Sequence, residues 1–513
     1  MTLKALRRIV IVGGGTAGWM CAAALSKLMQ PEQGNQPLWQ IRVLESDEIG
    51  IIGVGEATIP AIKSFNAVLG IAEDDFLRAT QGTFKLGIEF VNWGGLGQRY
   101  VHGFGAIGQA LDGIAFQHHW LRLQAHGRAG DLFDYSINTV APLQGKFMRP
   151  RADMAGSPLA EIAHAFHFDA NLYARFLRQH AEQRQVQRTE GRIVEVLQHA
   201  EQGQSSGLIS GLRLASGEVV EGDFFIDCSG LRALLIEQTL HAGFEDWSHW
   251  LPADRAWAVP CASRQPLLPF TRSTAHSAGW QWRIPLQHRT GNGHVFSSAF
   301  MEEGAAADLL LSKLDGEALA EPRLVKFRTG RRKQFWVGNC VALGLASGFM
   351  EPLESTSIHL IQTAITRLMD LFPRQGLDAA DIASYNRQTQ FEYERIRDFI
   401  ILHYKATRRD DSPFWNYCRE MAVPDSLLEK MELYRSNGRI YREANELFWE
   451  PSWLQVMHGQ GLRPRAYHPL ADVRPLAQVQ DWADNIREVV QRCVGVMPMQ
   501  GDFIAANCAA PPL

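Results

Sequence analysis

Six residues near the start of the chain, Gly13-Gly14-Gly15-Thr16-Ala17-Gly18, have G-x-G-x-x-G spacing. Such a loop suits a dinucleotide pyrophosphate. Gly13 permits the tight turn, Gly15 lets the backbone approach the phosphates, and Gly18 lets helix and strand pack closely. Unpaired N–H groups at the start of the following helix add a partial positive charge, with Thr16 and Ala17 in its first turn. Glu45 closes the next apolar run, where an acid can accept from ribose hydroxyls. Two later segments also carry unusual chemistry. Trp280-Gln281-Trp282-Arg283-Ile284-Pro285 sets two indoles on one face of an extended segment. Glu351-Pro352-Leu353-Glu354-Ser355-Thr356-Ser357 places two carboxylates and three hydroxyls just ahead of a periodic apolar run.

These groups need elements to hold them. Arg8 to Val12 is a short β-branched run that reads as a buried parallel strand, and Trp19 to Met29 has helix-forming composition. Gln40 to Leu44 reads as the second strand, with a loop from Pro31 to Pro37 lengthening the unit. Gly53-Val54-Gly55-Glu56-Ala57-Thr58-Ile59-Pro60 is a Gly-rich loop running into Pro60, a favourable first helical position. Thr83 to Phe90 alternates, which predicts one half-buried strand: Phe84, Leu86, Ile88 and Phe90 face the core, and Thr83, Lys85 and Glu89 face the polar side. Ile358, Ile361, Ile365, Leu368 and Phe372 fall on one face of a predicted helix over 358–372. Phe224 to Gly230 and Trp336 to Gly344 each read as a strand entering a small-residue turn.

The whole chain is consistent with a globular enzyme. Its 513 residues suggest roughly three units of about 150 residues, which α/β enzymes often merge. Hydrophobic residues make up 46% and charged residues 21%, which argues against disorder or a fibrous repeat. The net charge of -4 gives no electrostatic reason to hold nucleic acid. Seven scattered cysteines without a CxxC pair exclude a disulfide scaffold and a cysteine zinc site, so no metal is expected and a reducing cytoplasm fits. Lys4, Arg7 and Arg8 before an apolar stretch imitate a secretory or twin-arginine signal, but the phosphate-loop glycines inside it are the better explanation. No stretch approaches the roughly 20 apolar residues of a membrane span, so no membrane partner is expected.

Taken in order, the Phe224 and Trp336 segments resemble those that return the chain to the dinucleotide in FAD-dependent monooxygenase-like folds, which favours FAD over NAD. Asn339 stands where many hydroxylases carry an Asp. With the W-x-W-x-I-P and Pro-Leu-Glu-Ser-Thr elements and the Asp398-Phe399-Ile400-x-x-His403-Tyr404 stretch, the chain resembles the flavin-dependent halogenases, the tryptophan halogenase family in particular, from residue 9 to about residue 405.

The resemblance implies a reaction. In that family hypohalous acid is made from O2 and chloride or bromide at reduced FAD (FADH2) and travels to a lysine beside an aromatic substrate. Lys85 corresponds to that lysine and Glu354 to the second catalytic residue, a base for the ring proton. A lysine suits the task in either form: an ammonium can hydrogen-bond and polarise HOX, and a desolvated amine could form a haloamine. The halide site falls on Thr356 and Ser357, where helix N–H groups favour an anion; the second position is commonly glycine in the family, so Ser357 is a departure. Bromide is the easier halide to oxidise, and bromination is expected to be at least as good as chlorination. Glu56, Ala57, Ile193, Leu345 and Ile358 are implied as further flavin contacts. Trp280 and Trp282 are implied as a barrier between flavin and substrate.

For the substrate, the resemblance points to His102 and Phe104, with Phe448, Trp449 and Trp453 as further aromatic walls. Tryptophan-specific members carry tyrosines that bind the amino-acid backbone; here Tyr434 and Tyr441 stand apart, which favours indole or a bulkier indole derivative. No second G-x-G-x-x-G unit appears, so a separate flavin reductase is expected to supply FADH2. The expected fold is α/β, an aromatic-hydroxylase-type Rossmann-like FAD lobe (1–84 and 155–370) merged with a mainly helical substrate lobe (380–513), with 85–154 bridging them. The molecule is expected to be a monomer or homodimer with a frayed C-terminal tail. Two rival readings are an FAD-dependent aromatic hydroxylase and a non-enzymatic flavin-binding protein.

Overall fold

The computed structural model describes residues 6–29, 38–47, 55–201, 204–373 and 376–513. The loop from 31 to 37, Lys4, Gly53 and Val54 lie outside the described residues.

The β-branched run Arg8–Val12 forms the strand expected of it, and it pairs in parallel with Gln40–Glu45 on one side and Phe224–Asp227 on the other. Gln187–Glu190 and Cys340–Ala342 extend the same sheet, and Trp336–Val337 closes it as an antiparallel edge. The Trp336–Gly344 segment is therefore a hairpin rather than one strand, because the chain turns at Gly338, where φ is positive. The helix Thr16–Leu28 leaves the glycine loop and is buried along most of its length, as a parallel sheet covered on its faces requires.

A second sheet has seven strands. Its centre is Gly279–Pro285, flanked by Phe270–His276 and Thr290–Phe296, all largely buried. The chain from Gly87 to Val91 joins it in parallel beside Phe270–His276, with Arg99–Gly103 as an edge strand. Opposite Trp282 sits Gly293, where an added Cβ would come within 2.0 Å of the indole; only glycine leaves the ring its place.

The Thr83–Phe90 stretch differs from expectation. It is two strands, Thr83–Lys85 and Gly87–Val91, in two different sheets. Both faces of both strands are covered, so Lys85 lies on no polar face and is 0% exposed. Alternation in sequence reports two environments, and here both are interior. Helices dominate after residue 378: Ala379–Lys405 is the longest, and Glu450–Gly459 packs on the Arg99–Gly103 strand. The tail is tied down instead of frayed, since the Gln81 side chain donates to the carbonyl of Pro511 at 2.6 Å and Ala510 N–H donates to Gln287 at 2.8 Å.

Candidate active site

A cavity of about 780 Å³ opens where the glycine loop leaves the parallel sheet. Gly13 takes φ +113°, and a Cβ there would meet the Cys228 carbonyl at 2.2 Å. Gly18 does not line the cavity; its missing Cβ lets the helix start rest on Gly13. Gly15 faces open space, so its bareness serves whatever enters. Gly13, Gly15, Thr16 and Ala17 border the cavity, with Arg175, Arg192 and Arg232 nearby. Sequence reasoning passed over these arginines, which lie far from the motif in the chain. Glu45 is at the rim but engaged, paired with Arg188 and accepting from Trp19 Nε1 at 3.3 Å. The remaining expected contacts converge on the same space: Glu56 and Ala57 from one strand, Ile193 from a second, and Leu345 and Ile358 from the far side. Burial raises the Glu56 carboxyl to about 7. A bare glycine cradle, arginines and an apolar floor fit a flavin dinucleotide, whose pyrophosphate Gly13–Ala17 would hold and whose ring system would face Trp282 and Ile358.

Asn339 takes no part in this cavity. Its side chain accepts from the backbone N–H of Ile209 at 2.9 Å and donates to the Ile209 carbonyl at 2.8 Å, tying the hairpin turn to the Gln204–Leu214 strand. The two indoles also divide. Trp282 lines the cavity, whereas Trp280 sits behind it and donates through Nε1 to Glu351 at 2.8 Å.

Thr356 and Ser357 border the cavity at the start of the helix Ser357–Asp370. No side chain caps that helix start, so its first N–H groups are open to an anion. Just before it, Ser355 adopts the left-handed conformation at φ +59°, an uncommon one for a non-glycine residue and frequent at functional loops. Ser355 borders the cavity too, and its Oγ accepts from Nζ of Lys85 at 2.7 Å. Sequence reasoning quoted Ser355 only as part of a motif. Its contact with Lys85 joins positions 270 residues apart, which no local pattern reports.

Around Lys85 the interior is charged and aromatic. Its Nζ lies 5.2 Å from the centroid of Phe104. Burial lowers the lysine to about 7, against the raising effect of Glu354. Glu354 is buried between two histidines: His102 Nδ1 is 2.9 Å from one oxygen, and His403 Nε2 is 2.8 Å from the other, without hydrogen-bond alignment. Burial would raise this carboxyl, but the histidines outweigh it and hold it at about 2. Phe448 stacks on Phe399 at 3.8 Å and lies 6.3 Å from His102, so it closes the group from the helical side. Trp453 is buried edge-on to Phe399, and its Nε1 has no partner among the described residues. Trp449 does not join them. It is 63% exposed at the start of its helix, stacked under Arg442. Phe448 before it and Trp453 in the helix are buried, whereas Trp449, at the helix cap, turns outward. Among the described residues no cluster of three metal-ligating side chains occurs, and no helix is long and apolar enough to cross a membrane.

The sequence and the fold have counterparts. The tryptophan halogenase family model matches residues 8–476. Tryptophan 7-halogenase RebH of Lentzea aerocolonigenes is 34% identical, with 97% of this chain and 98% of that protein covered. Two solved structures are closer in sequence. Xcc4156, a flavin-dependent halogenase from Xanthomonas campestris, has a TM-score of 0.94 at 48% identity over 99% of this chain and all of that one. BrvH, a flavin-dependent halogenase from Brevundimonas sp. BAL3, gives 0.92 at 45% identity over 99% of both chains.

Proposed function

The chain belongs to the tryptophan halogenase family, and from that premise we propose that it halogenates an indole-type aromatic through Lys85 and Glu354, with bromide accepted at least as well as chloride. That it is a flavin-dependent halogenase, using FADH2, O2 and halide, follows from membership. Reduced FAD, when bound, would supply the two electrons and two protons by which O2, halide and a further proton become hypohalous acid and water. The chain's own residues do the rest. Gly13 to Ala17 and the arginines hold the dinucleotide. The open helix start at Thr356 and Ser357 holds halide without a cationic side chain. Ser355 stands between the cavity and Lys85, so reagent leaving the flavin side meets the lysine next.

Lys85, as ammonium, donates a hydrogen bond to the oxygen of HOX and draws electron density from the halogen. The ring carbon attacks the halogen, HO⁻ departs and takes a proton from the ammonium, and water forms. Glu354, ionised and fixed by His102, accepts the ring proton. His102, Phe104 and Phe448 bracket a planar ring by stacking. Trp282 walls the flavin from that ring and so disfavours direct hydroxylation.

The observation that carries this reading is the buried Lys85–Ser355 contact at the edge of the flavin cavity. The indole preference is supported by the absence of a tyrosine pair: Tyr434 is buried and Tyr441 is 58% exposed. FADH2 arrives by diffusion from a separate reductase, and a cytoplasmic setting suits the seven unpaired thiols. The test is incubation with a flavin reductase, NADH, FAD, bromide and indole. A bromine isotope doublet in the product supports halogenation; an oxygen adduct instead identifies a hydroxylase.

A further inference from the structure

The short 3-10 turn Pro352–Glu354 is bracketed by two buried carboxylates, Glu351 and Glu354. They grip one helix at consecutive residues. Glu354 faces Nε2 of His403, and Glu351 Oε2 accepts from the hydroxyl of Tyr404. The same Oε2 accepts from Trp280 Nε1 at 2.8 Å. One carboxyl therefore ties together the turn that carries Glu354, the strand that carries Trp282, and the helix that carries His403. The other oxygen, Oε1, has no partner among the described residues. A neutral acid that accepts both donors on Oε2 puts no charge on the unpartnered Oε1, and burial raises the carboxyl to about 7 in agreement.

The aromatic neighbours show what is being held. Trp280 lies 6.2 Å from Trp282 on one side and 6.2 Å from Trp93 on the other. Trp93 in turn lies 6.1 Å from His403. A chain of four rings thus runs from the flavin cavity to the histidine that faces Glu354, and Glu351 fixes the second, Trp280. Trp93 is anchored separately, its Nε1 donating to the Ser273 carbonyl at 3.2 Å, whereas Trp280 and Tyr404 both donate to Glu351. Hydrogen bonds in a site this buried are costly to leave unmade.

We propose that Glu351 is a positioning residue: by fixing Trp280 and Tyr404 it sets the spacing between the flavin wall and the Lys85–Glu354 pair, so that oxidised halogen reaches the ring instead of being lost. The proposal rests on the halogenase mechanism assigned to Lys85 and Glu354. Without Glu351, flavin oxidation continues but ends as free HOX or as hydrogen peroxide, FADH2 + O2 giving FAD + H2O2. Halogenated product per flavin oxidised should fall.

The experiment compares full-length wild type, Glu351→Leu and Glu351→Gln with a flavin reductase, bromide and indole. Bromoindole is measured against NADH consumed and peroxide released. Glu351→Leu is expected to lower bromoindole per flavin by at least about tenfold, and Glu351→Gln, which mimics the neutral acid, to restore it to within about threefold. Near-ultraviolet circular dichroism without flavin is the second readout, where Glu351→Leu should lose tryptophan signal that Glu351→Gln keeps. If Glu351→Leu does not fold, Trp280→Phe and Tyr404→Phe each remove one donor, and each should lower the same ratio. An unchanged ratio in Glu351→Leu, or in both single-donor variants, overturns the proposal. So does product falling in strict proportion to flavin oxidation. Wild type that makes no bromoindole would refute the halogenase mechanism instead, and the dichroism arm would still judge the hold of Glu351 on Trp280.

Discussion

His102 Nδ1 lies 3.1 and 2.9 Å from the two oxygens of Glu354, and both side chains are buried. A carboxylate held at about 2 only accepts, so Nδ1 carries the hydrogen and the imidazole plane is fixed. His102 therefore does two things: it offers a face for stacking, and it keeps a base ionised within a closed interior. Replacing Glu354 by Gln removes the base without removing its volume, and Lys85→Ala removes the donor. Each should cut bromoindole formation at least about hundredfold, within the range for acid–base residues. Mass spectrometry of the product under single turnover measures it, and undiminished product with either variant takes that residue out of the mechanism.

The lysine supplies a pH dependence of definite sign. Burial lowers Lys85 to about 7, so the ammonium prevails below that pH and the amine above it. With the ammonium as donor to HOX, the halogenation step slows as pH rises through about 7. A haloamine route needs the free amine and gives the opposite slope. Rapid-quench measurement of product over pH 6 to about 8.5, with free HOX supplied directly so that flavin chemistry drops out, separates the two.

Two glycines of the loop make different demands, and that difference is testable. Gly13 has φ +113° and a carbonyl 2.2 Å from any Cβ, so Gly13→Ala strains the fold itself. Gly15 has an ordinary φ of -76° and open space around it. Gly15→Ala should leave the melting temperature of the flavin-free protein unchanged and weaken FAD binding by at least about tenfold, or 1.4 kcal/mol. Gly13→Ala should lower the melting temperature before flavin is added. Calorimetric titration with FAD reads the first and thermal unfolding the second. FAD binding unaffected by Gly15→Ala would mean that the pyrophosphate lies elsewhere.

Much of this site was legible because its chemistry is local. The glycine loop, Glu56 and Ala57, and the Thr356–Ser357 helix start are short segments whose spacing carries their geometry. Lys85 is the counterexample. Its alternating neighbours described a half-exposed strand, but Thr83–Lys85 packs against Phe270–His276 of another sheet, and Ser355 and Phe104 meet the lysine itself. His403 and Ser355 were quoted within motifs, yet their partners are far along the chain, so no period or cap announced them. Trp449 is exposed for a related reason: composition shows an aromatic cluster, and only the helix start at Glu450 decides which ring faces solvent.

Glu351 should also leave a mark on stability. Its folded-state value of about 7 stands above the ordinary 4.5, so the folded protein keeps a proton that the unfolded chain releases between those values. The contribution of this group is therefore fully present below pH 4.5 and is lost as pH rises through 7. Two and a half units correspond to about 3 kcal/mol at most. Tyr404 and Cys418, which share its surroundings, are pushed upward by burial and stay neutral throughout that window. Glu354 acts with the opposite sign and at lower pH, since its depressed value gives stability that disappears only as pH falls below 4.5 toward 2. Lys85 changes its balance above 7, between that value and 10.5. Between pH 5 and 7 the site's own slope thus comes from Glu351 and from Glu56, which burial also raises to about 7, and the Glu56 part cancels when wild type and variant are compared. Glu351→Gln has no proton to release, so the difference in urea-unfolding free energy between wild type and variant should move in favour of the variant by about 2 kcal/mol over that interval. A difference that stays level from pH 5 to 7 would show that Glu351 is ionised in the folded protein, and with it that Trp280 and Tyr404 are held by a charge.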